Sequence, residues 1–147
     1  MVQNTPAQPI THHIVGMLIG PPDTLVTLAL SYDAADPYTA SLVFPATEGH
    51  PDGVVWDIDR GTLAQGLTRP AGDGDVRVAP HTRHGRNPRA SRGIALDFFG
   101  PGQFARMVLN QTDLTRFLAD TYEAVPSGTE PTRLDVDDTI ARLLGAA

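Results

Sequence analysis

Period-two alternation, punctuated by links too short for a crossover, constrains this chain more than any other feature. Thr24–Tyr32 places Val26, Leu28, Leu30 and Tyr32 on one face and Thr27, Ala29 and Ser31 on the other. Thr39–Phe44 aligns Ala40, Leu42 and Phe44. Val54–Ile58 aligns Val54, Trp56 and Ile58. Asp75–Ala79 aligns Val76 and Val78, and Gly93–Phe99 aligns Ile94, Leu96 and Phe98. Each pattern reads as a half-buried strand. His12–Ile19 and Gln103–Leu109 also read as strands, apolar on both faces. The links Pro21-Pro22-Asp23, Asp33–Pro37 and Gly100-Pro101-Gly102 are turns. A parallel pair needs a crossover of a dozen residues or more, so these neighbours must be antiparallel.

Three helices interrupt the strands. Asp59 can cap a short one that carries Leu63 and Leu67 and stops before Pro70. Gln111–Ala124 presents Leu114, Phe117, Leu118 and Tyr122 as a stripe, and Pro126 ends it. Asp135 can cap a last helix with Val136, Ile140, Leu143 and Leu144 inward. The expected fold is α+β, an antiparallel sheet with helices in the order ββββ-α-βββ-α-α. Residues 1–9 are polar with two prolines and read as a flexible tail. Residues 10–147 read as one domain, which suits a chain of 147 residues.

Composition removes whole classes of chemistry. The chain has no cysteine, which excludes disulfides, thiolate metal sites and cysteine nucleophiles. It has no lysine, which excludes Schiff bases and a P-loop. No basic residue precedes Arg60, and no run of 18 apolar residues occurs. Neither a secretory signal nor a transmembrane helix is expected, and the reading is cytoplasmic. The net charge is −6, but Val76–Leu96 holds Arg77, Arg83, Arg86, Arg89 and Arg92 and no acid. That window is +5 on a remainder of −6 − 5 = −11. These five arginines are the candidate partner-binding residues, suited to phosphates or to an acidic protein segment. Overall acidity favours the protein partner over nucleic acid.

Other constellations weigh less. Asp57-Ile58-Asp59-Arg60-Gly61-Thr62 resembles the phosphatase motif DxDGT, in which one Asp attacks phosphorus and the next handles a proton. Arg60 interrupts that motif, and the lysine such enzymes use is missing. Capping by Asp59 explains the pattern more simply. Asp135, Asp137 and Asp138 suit a helix start better than a cation loop. His12 and His13 point to opposite faces, and His81 and His84 have no acid nearby in sequence. Gly72-Asp73-Gly74-Asp75 reads as a turn. No catalytic residue, metal site or cofactor is expected.

Beyond these patterns, an ordered set of residues resembles the SsgA-like proteins, the sporulation and cell-division family of Streptomyces and related actinomycetes. It begins with Tyr32-Asp33 and Ala35-Asp36-Pro37-Tyr38, then Phe44, Trp56, Arg60, Leu63, Gly66-Leu67 and Pro70. The densest run is Gly72-Asp73-Gly74-Asp75-Val76-Arg77-Val78, followed by Pro80. Phe117-Leu118, Thr121, Val125-Pro126, Gly128-Thr129-Glu130, Asp135, Asp137, Ile140 and Leu143-Leu144 complete it. The resemblance implies a non-enzymatic regulator of sporulation-specific division. Its partners would be the tubulin-like protein FtsZ, other division machinery or another SsgA-like protein, and its place the division septum. It implies a Whirly-like fold in a bell-shaped homotrimer, an assembly that would also cover open sheet edges. A Whirly-like fold leaves single-stranded nucleic-acid binding as the alternative. Thr82–Arg92 is longer and richer in arginine than the resemblance implies, and residues 1–9 are an extra tail.

Overall fold

The computed structural model describes residues 8–81 and 92–132. Eight strands form one sheet in the order β4-β3-β2-β1-β8-β7-β6-β5. They are β1 (Ile10–Ile19), β2 (Thr24–Tyr32), β3 (Thr39–Phe44), β4 (Val54–Asp59), β5 (Ala71–Asp73), β6 (Val76–His81), β7 (Gly93–Gly100) and β8 (Gln103–Asn110). Every pairing is antiparallel, as the short links require. Helix α1 (Arg60–Gly66) follows β4, and α2 (Gln111–Ala124) follows β8. A single 3-10 turn, Glu130–Thr132, comes last. The expected tail over residues 1–9 lies mostly outside the described residues, and the helix expected after Asp135 lies wholly outside them.

Two expectations need correction. The order is ββββ-α-ββββ-α because β5, only three residues long, precedes the Gly74 turn. Three residues cannot display an alternation, so Gly72-Asp73 read as turn alone. The turn itself is real: Gly74 has φ +60°, a conformation that favours glycine. Strand β7 is also buried on both faces rather than one, since Ala95 and Asp97 are buried along with Ile94, Leu96 and Phe98. It lies inside the sheet between β6 and β8, which shelter a small Ala95 and a paired Asp97.

One face of the sheet carries the core. Leu28, Leu30, Tyr32, Leu42, Ile58, Val78, Leu96 and Leu109 all point into it. The sheet curls about this core. Trp56 on β4 meets Phe98 on β7 with ring centroids 4.9 Å apart, although four strands separate β4 and β7 in the sheet order. Phe44 meets the same ring edge-on at 6.3 Å. Helix α1 packs on β4, β5 and β6, bridging the two ends of the curl. Helix α2 lies over β1 and β8 and buries Leu114, Phe117 and Leu118. Burying such side chains contributes about 1.5–3 kcal/mol each.

The helix starts follow from their caps. Asp59 accepts from Thr62 N at 2.9 Å, and Asn110 accepts from Thr112 N at 2.8 Å. Asp59→Ala should therefore lower stability by about 1 kcal/mol, measured by urea unfolding. The Asp33–Pro37 link is pinned by Asp33 Oδ1 accepting from Ala35 N and by the Tyr32 hydroxyl donating to Pro37 O at 2.9 Å.

Arg60 ties the two helices together. It follows the Asp59 cap, is 1% exposed, and its own N–H donates to Tyr38 O. Its Nη1 donates to Thr121 O at 3.1 Å and Val125 O at 2.8 Å, and its Nη2 to Glu130 Oε1 at 2.7 Å. The guanidinium carbon lies 4.1 Å from the Tyr122 ring centroid and 5.0 Å from that of Tyr32. Carbonyls at a helix C-terminus are short of partners within the helix; Thr121 O also accepts from Val125 N, and this buried cation adds a donor there and one to Val125 O. Glu130 Oε2 in turn accepts from Gly128 N at 2.7 Å.

Candidate functional site

Strand parity places a second set of side chains on the outer face of the sheet, opposite the helices. Register partners form rows across it. Leu25, Met17, Val108, Ala95 and Ala79 make one row. Ile19, Arg106, Asp97, Arg77 and Gly72 make the next. Phe104 and Phe99 pair beyond them, beside the β7–β8 turn. Val55 and Val43 pair at the β4 end. Large exposed apolar side chains concentrate here: Val15 at 52%, Ile19 at 41%, Leu25 at 68%, Val55 at 59%, Phe99 at 44% and Phe104 at 56%. Phe99 and Phe104 stand together at one end of this face, an exposed apolar patch of the kind that marks a contact surface.

The arginines divide. Arg77 and Arg92 are exposed, and Arg77 stands on the outer face of β6. Arg83, Arg86 and Arg89 lie outside the described residues, as do His84 and most of Thr82–Arg92. Sequence reasoning missed Arg106. It donates from Nε to Asp97 Oδ1 at 2.7 Å and from Nη2 to Asp97 Oδ2 at 3.0 Å. The hydrogen bonds and charge of Asp97 hold this guanidinium firmly protonated. It also lies over the Phe104 ring, 5.8 Å from the centroid. The pair spans only nine residues, and strands β7 and β8 place its members directly opposite each other.

A cleft of about 360 Å³ opens beside this end of the face. It is lined by Pro70, Ala71, Gly72, Gly74, Val76, Arg77 and Phe99. Among the described residues Arg77 pairs with no carboxylate, because Asp97, its cross-strand neighbour, is committed to Arg106. One cation and one exposed ring therefore share an open cleft. Such a cleft can take an anionic group with an apolar neighbour.

The phosphatase-like reading does not survive the fold. Strand β4 is antiparallel to β3, not part of a parallel sheet. Asp59 is occupied as a cap, and Asp57, exposed, accepts from Ser41 Oγ at 2.6 Å. The turn that would cradle a phosphate is instead the first turn of α1, led by Arg60. The histidines do not converge: His12 bonds Asp120 at 2.7 Å and edges the Phe117 ring, while His13 points to the outer face. Among the described residues no three metal-ligating side chains cluster, and no helix is long and apolar enough to cross a membrane. Asp135, Asp137 and Asp138 lie outside the described residues.

Comparison with known proteins agrees with this architecture. Residues 26–130 match the family model for the Streptomyces sporulation and cell division protein SsgA. A sporulation-specific cell division protein SsgB from Salinispora tropica is 40% identical over 119 residues, covering 81% of this chain and 80% of that protein. The SsgB of Streptomyces coelicolor is 36% identical, covering 81% and 82%. The crystal structure of an SsgA-like sporulation-specific cell division protein from Thermobifida fusca superposes with TM-score 0.79 at 29% identity, over 95% of this chain and 98% of that one. With the ordered turns, the curled antiparallel sheet and these relatives in agreement, the chain belongs to the SsgA family of sporulation and cell division proteins.

Proposed function

We propose that this protein is a non-catalytic adaptor of sporulation-specific cell division. It works by contact: it holds or positions septum machinery on the cytoplasmic side of the division site. The candidate contacts are FtsZ, a second SsgA-like protein, or the enzymes that mature septal peptidoglycan. The observation that carries this reading is the outer sheet face, where six large apolar side chains stand exposed beside arginines. A cell-division relative of 40% identity supplies the context. The carboxylates that first suggested chemistry have structural tasks instead.

We further propose that the working form is a Whirly-like, bell-shaped homotrimer. Both edge strands, β4 and β5, leave backbone groups without a strand partner on one side, and apolar surface remains uncovered in the single chain. Self-assembly covers both kinds of surface. Single-stranded nucleic acid is the second reading, favoured by the Phe99–Phe104 ring pair at 5.3 Å with Arg106 beside it. The −6 charge opposes it.

Fluorescence localisation of a tagged copy in sporulating cells, combined with deletion, tests the adaptor reading. Ladders of septal signal and a septation defect on deletion are expected. Diffuse signal together with regular septa would overturn it.

A further inference from the structure

We infer that the cleft between the β5–β6 hairpin and Phe99 docks an acidic peptide segment that carries an apolar side chain. The inference deepens the adaptor reading and rests on it only for the choice of a protein partner.

The argument starts from the row Ile19–Arg106–Asp97–Arg77–Gly72. It contains two arginines and one aspartate. Asp97 accepts from Arg106 with both carboxylate oxygens, so its charge is committed to that arginine. Arg77 keeps an exposed guanidinium with no carboxylate among the described residues. An arginine fork of this kind matches a carboxylate with two parallel hydrogen bonds. Arg77 is the charged residue of the cleft's lining, with Asp75 exposed in the adjoining turn.

The apolar half of the site lies next to that charge. Phe99 is 44% exposed, lines the cleft with Pro70 and Val76, and leans on Phe104. Exposed aromatic rings beside an arginine are the usual energetic centre of a protein contact. At about 360 Å³ the cleft takes one or two side chains. Beside it, β5 is an edge strand that pairs only with β6. Glycine at 72 and 74 keeps the floor free of side chains. The cleft is thus built for a carboxylate and an apolar side chain close together on an extended peptide.

The test uses the full chain and a short fluorescein-labelled peptide of alternating aspartate and leucine, read by anisotropy. A lysine–leucine peptide is the control, and oligothymidylate is the competitor. The acidic peptide should bind in a salt-sensitive way, and the basic peptide should not. Arg77→Glu should weaken binding about tenfold or more. Phe99→Ala should weaken it severalfold. Both positions are surface sites, so the thermal midpoint and the molecular mass in solution should stay at the parent values. Arg77→Gln, which keeps size and removes charge, is a second variant should the reversal unfold the chain. Absence of binding, or binding indifferent to Arg77, would overturn the inference. Displacement by oligothymidylate would make the site a nucleic-acid platform instead. A fall in assembly size in Arg77→Glu would make it an interface between copies. Septal localisation is read separately, so loss of this site and loss of the adaptor reading remain distinct outcomes.

Discussion

Replacing Arg60 by alanine is expected to lower stability by about 3–5 kcal/mol. The cost comes less from the lost attractions than from what is left behind. Val125 O would lose its Arg60 donor, Thr121 O would keep only the Val125 N–H, and Glu130 would lose its buried cation. The two tyrosine rings would lose the group they enclose. For a chain of this length the thermal midpoint should fall by about 10 °C or more. Chemical denaturation of the parent and of Arg60→Ala checks the number, and a loss under about 1 kcal/mol would show that the network contributes little. Arg60→Lys should restore only part, since one ammonium cannot serve three divergent acceptors and two rings.

The same network has a pH signature. Glu130 has its carboxyl held below the usual carboxylate range, first by its own backbone N–H and then by Arg60 and the Gly128 N–H, against a burial effect of opposite sign. The folded state therefore favours the charged form. That contribution is present above the ordinary glutamate range and is lost as pH falls through the lowered folded value. Glu130→Gln should be less stable at neutral pH and should lose less on acidification than the parent, measured by urea unfolding at a series of pH values.

Gly66→Ala should lower stability by about 1–3 kcal/mol, although alanine is the better helix former by roughly 1 kcal/mol. A Cβ at residue 66 would lie 2.2 Å from Val78 Cγ1 and 2.5 Å from Val78 Cβ. Val78 Cγ1 can rotate aside, but Val78 Cβ cannot yield without moving strand β6. Helix α1 would shift away from the sheet, carrying Leu63 and Arg60 with it. Val78→Ala should rescue only part of the loss, because the Val78 Cβ and its backbone carbon, 3.2 Å away, still crowd the new methyl. A double-mutant cycle on thermal or urea unfolding measures that coupling. Full additivity of the two changes would contradict the close approach of α1 and β6.

Much of the fold was legible in the chain. Alternation located five of the eight strands and runs apolar on both faces located two more, because the side-chain period of a strand is written into consecutive residues. Helix α2 ran over the expected Gln111–Ala124, with its apolar stripe inward. Asp59 served as a cap, as its place at the strand–helix junction suggested. Arg60 was visible as an interruption of a motif and as one residue of the family resemblance, and neither gives its task. One clue to its role was available: a cation in the first turn opposes the helix dipole, so some other group must hold it there. Its acceptors lie 61 to 70 residues away, beyond any local pattern.

The candidate contact surface shows the same division. Consecutive apolar residues in β1 already indicated two apolar faces, and the run of arginines indicated a site for anions. Local sequence therefore determined the strands, their antiparallel sense, the helix caps and the family likeness, since each depends on residues within a few positions or on their order. Only the tertiary structure decided the rest. Curling the sheet brought Trp56 to Phe98. Strand register gave Asp97 to Arg106 and left Arg77 open beside Phe99. Which partner a charge keeps, and which apolar face stays uncovered, are matters of distance across strands, and distance across strands is set by register and curl rather than by spacing along the chain.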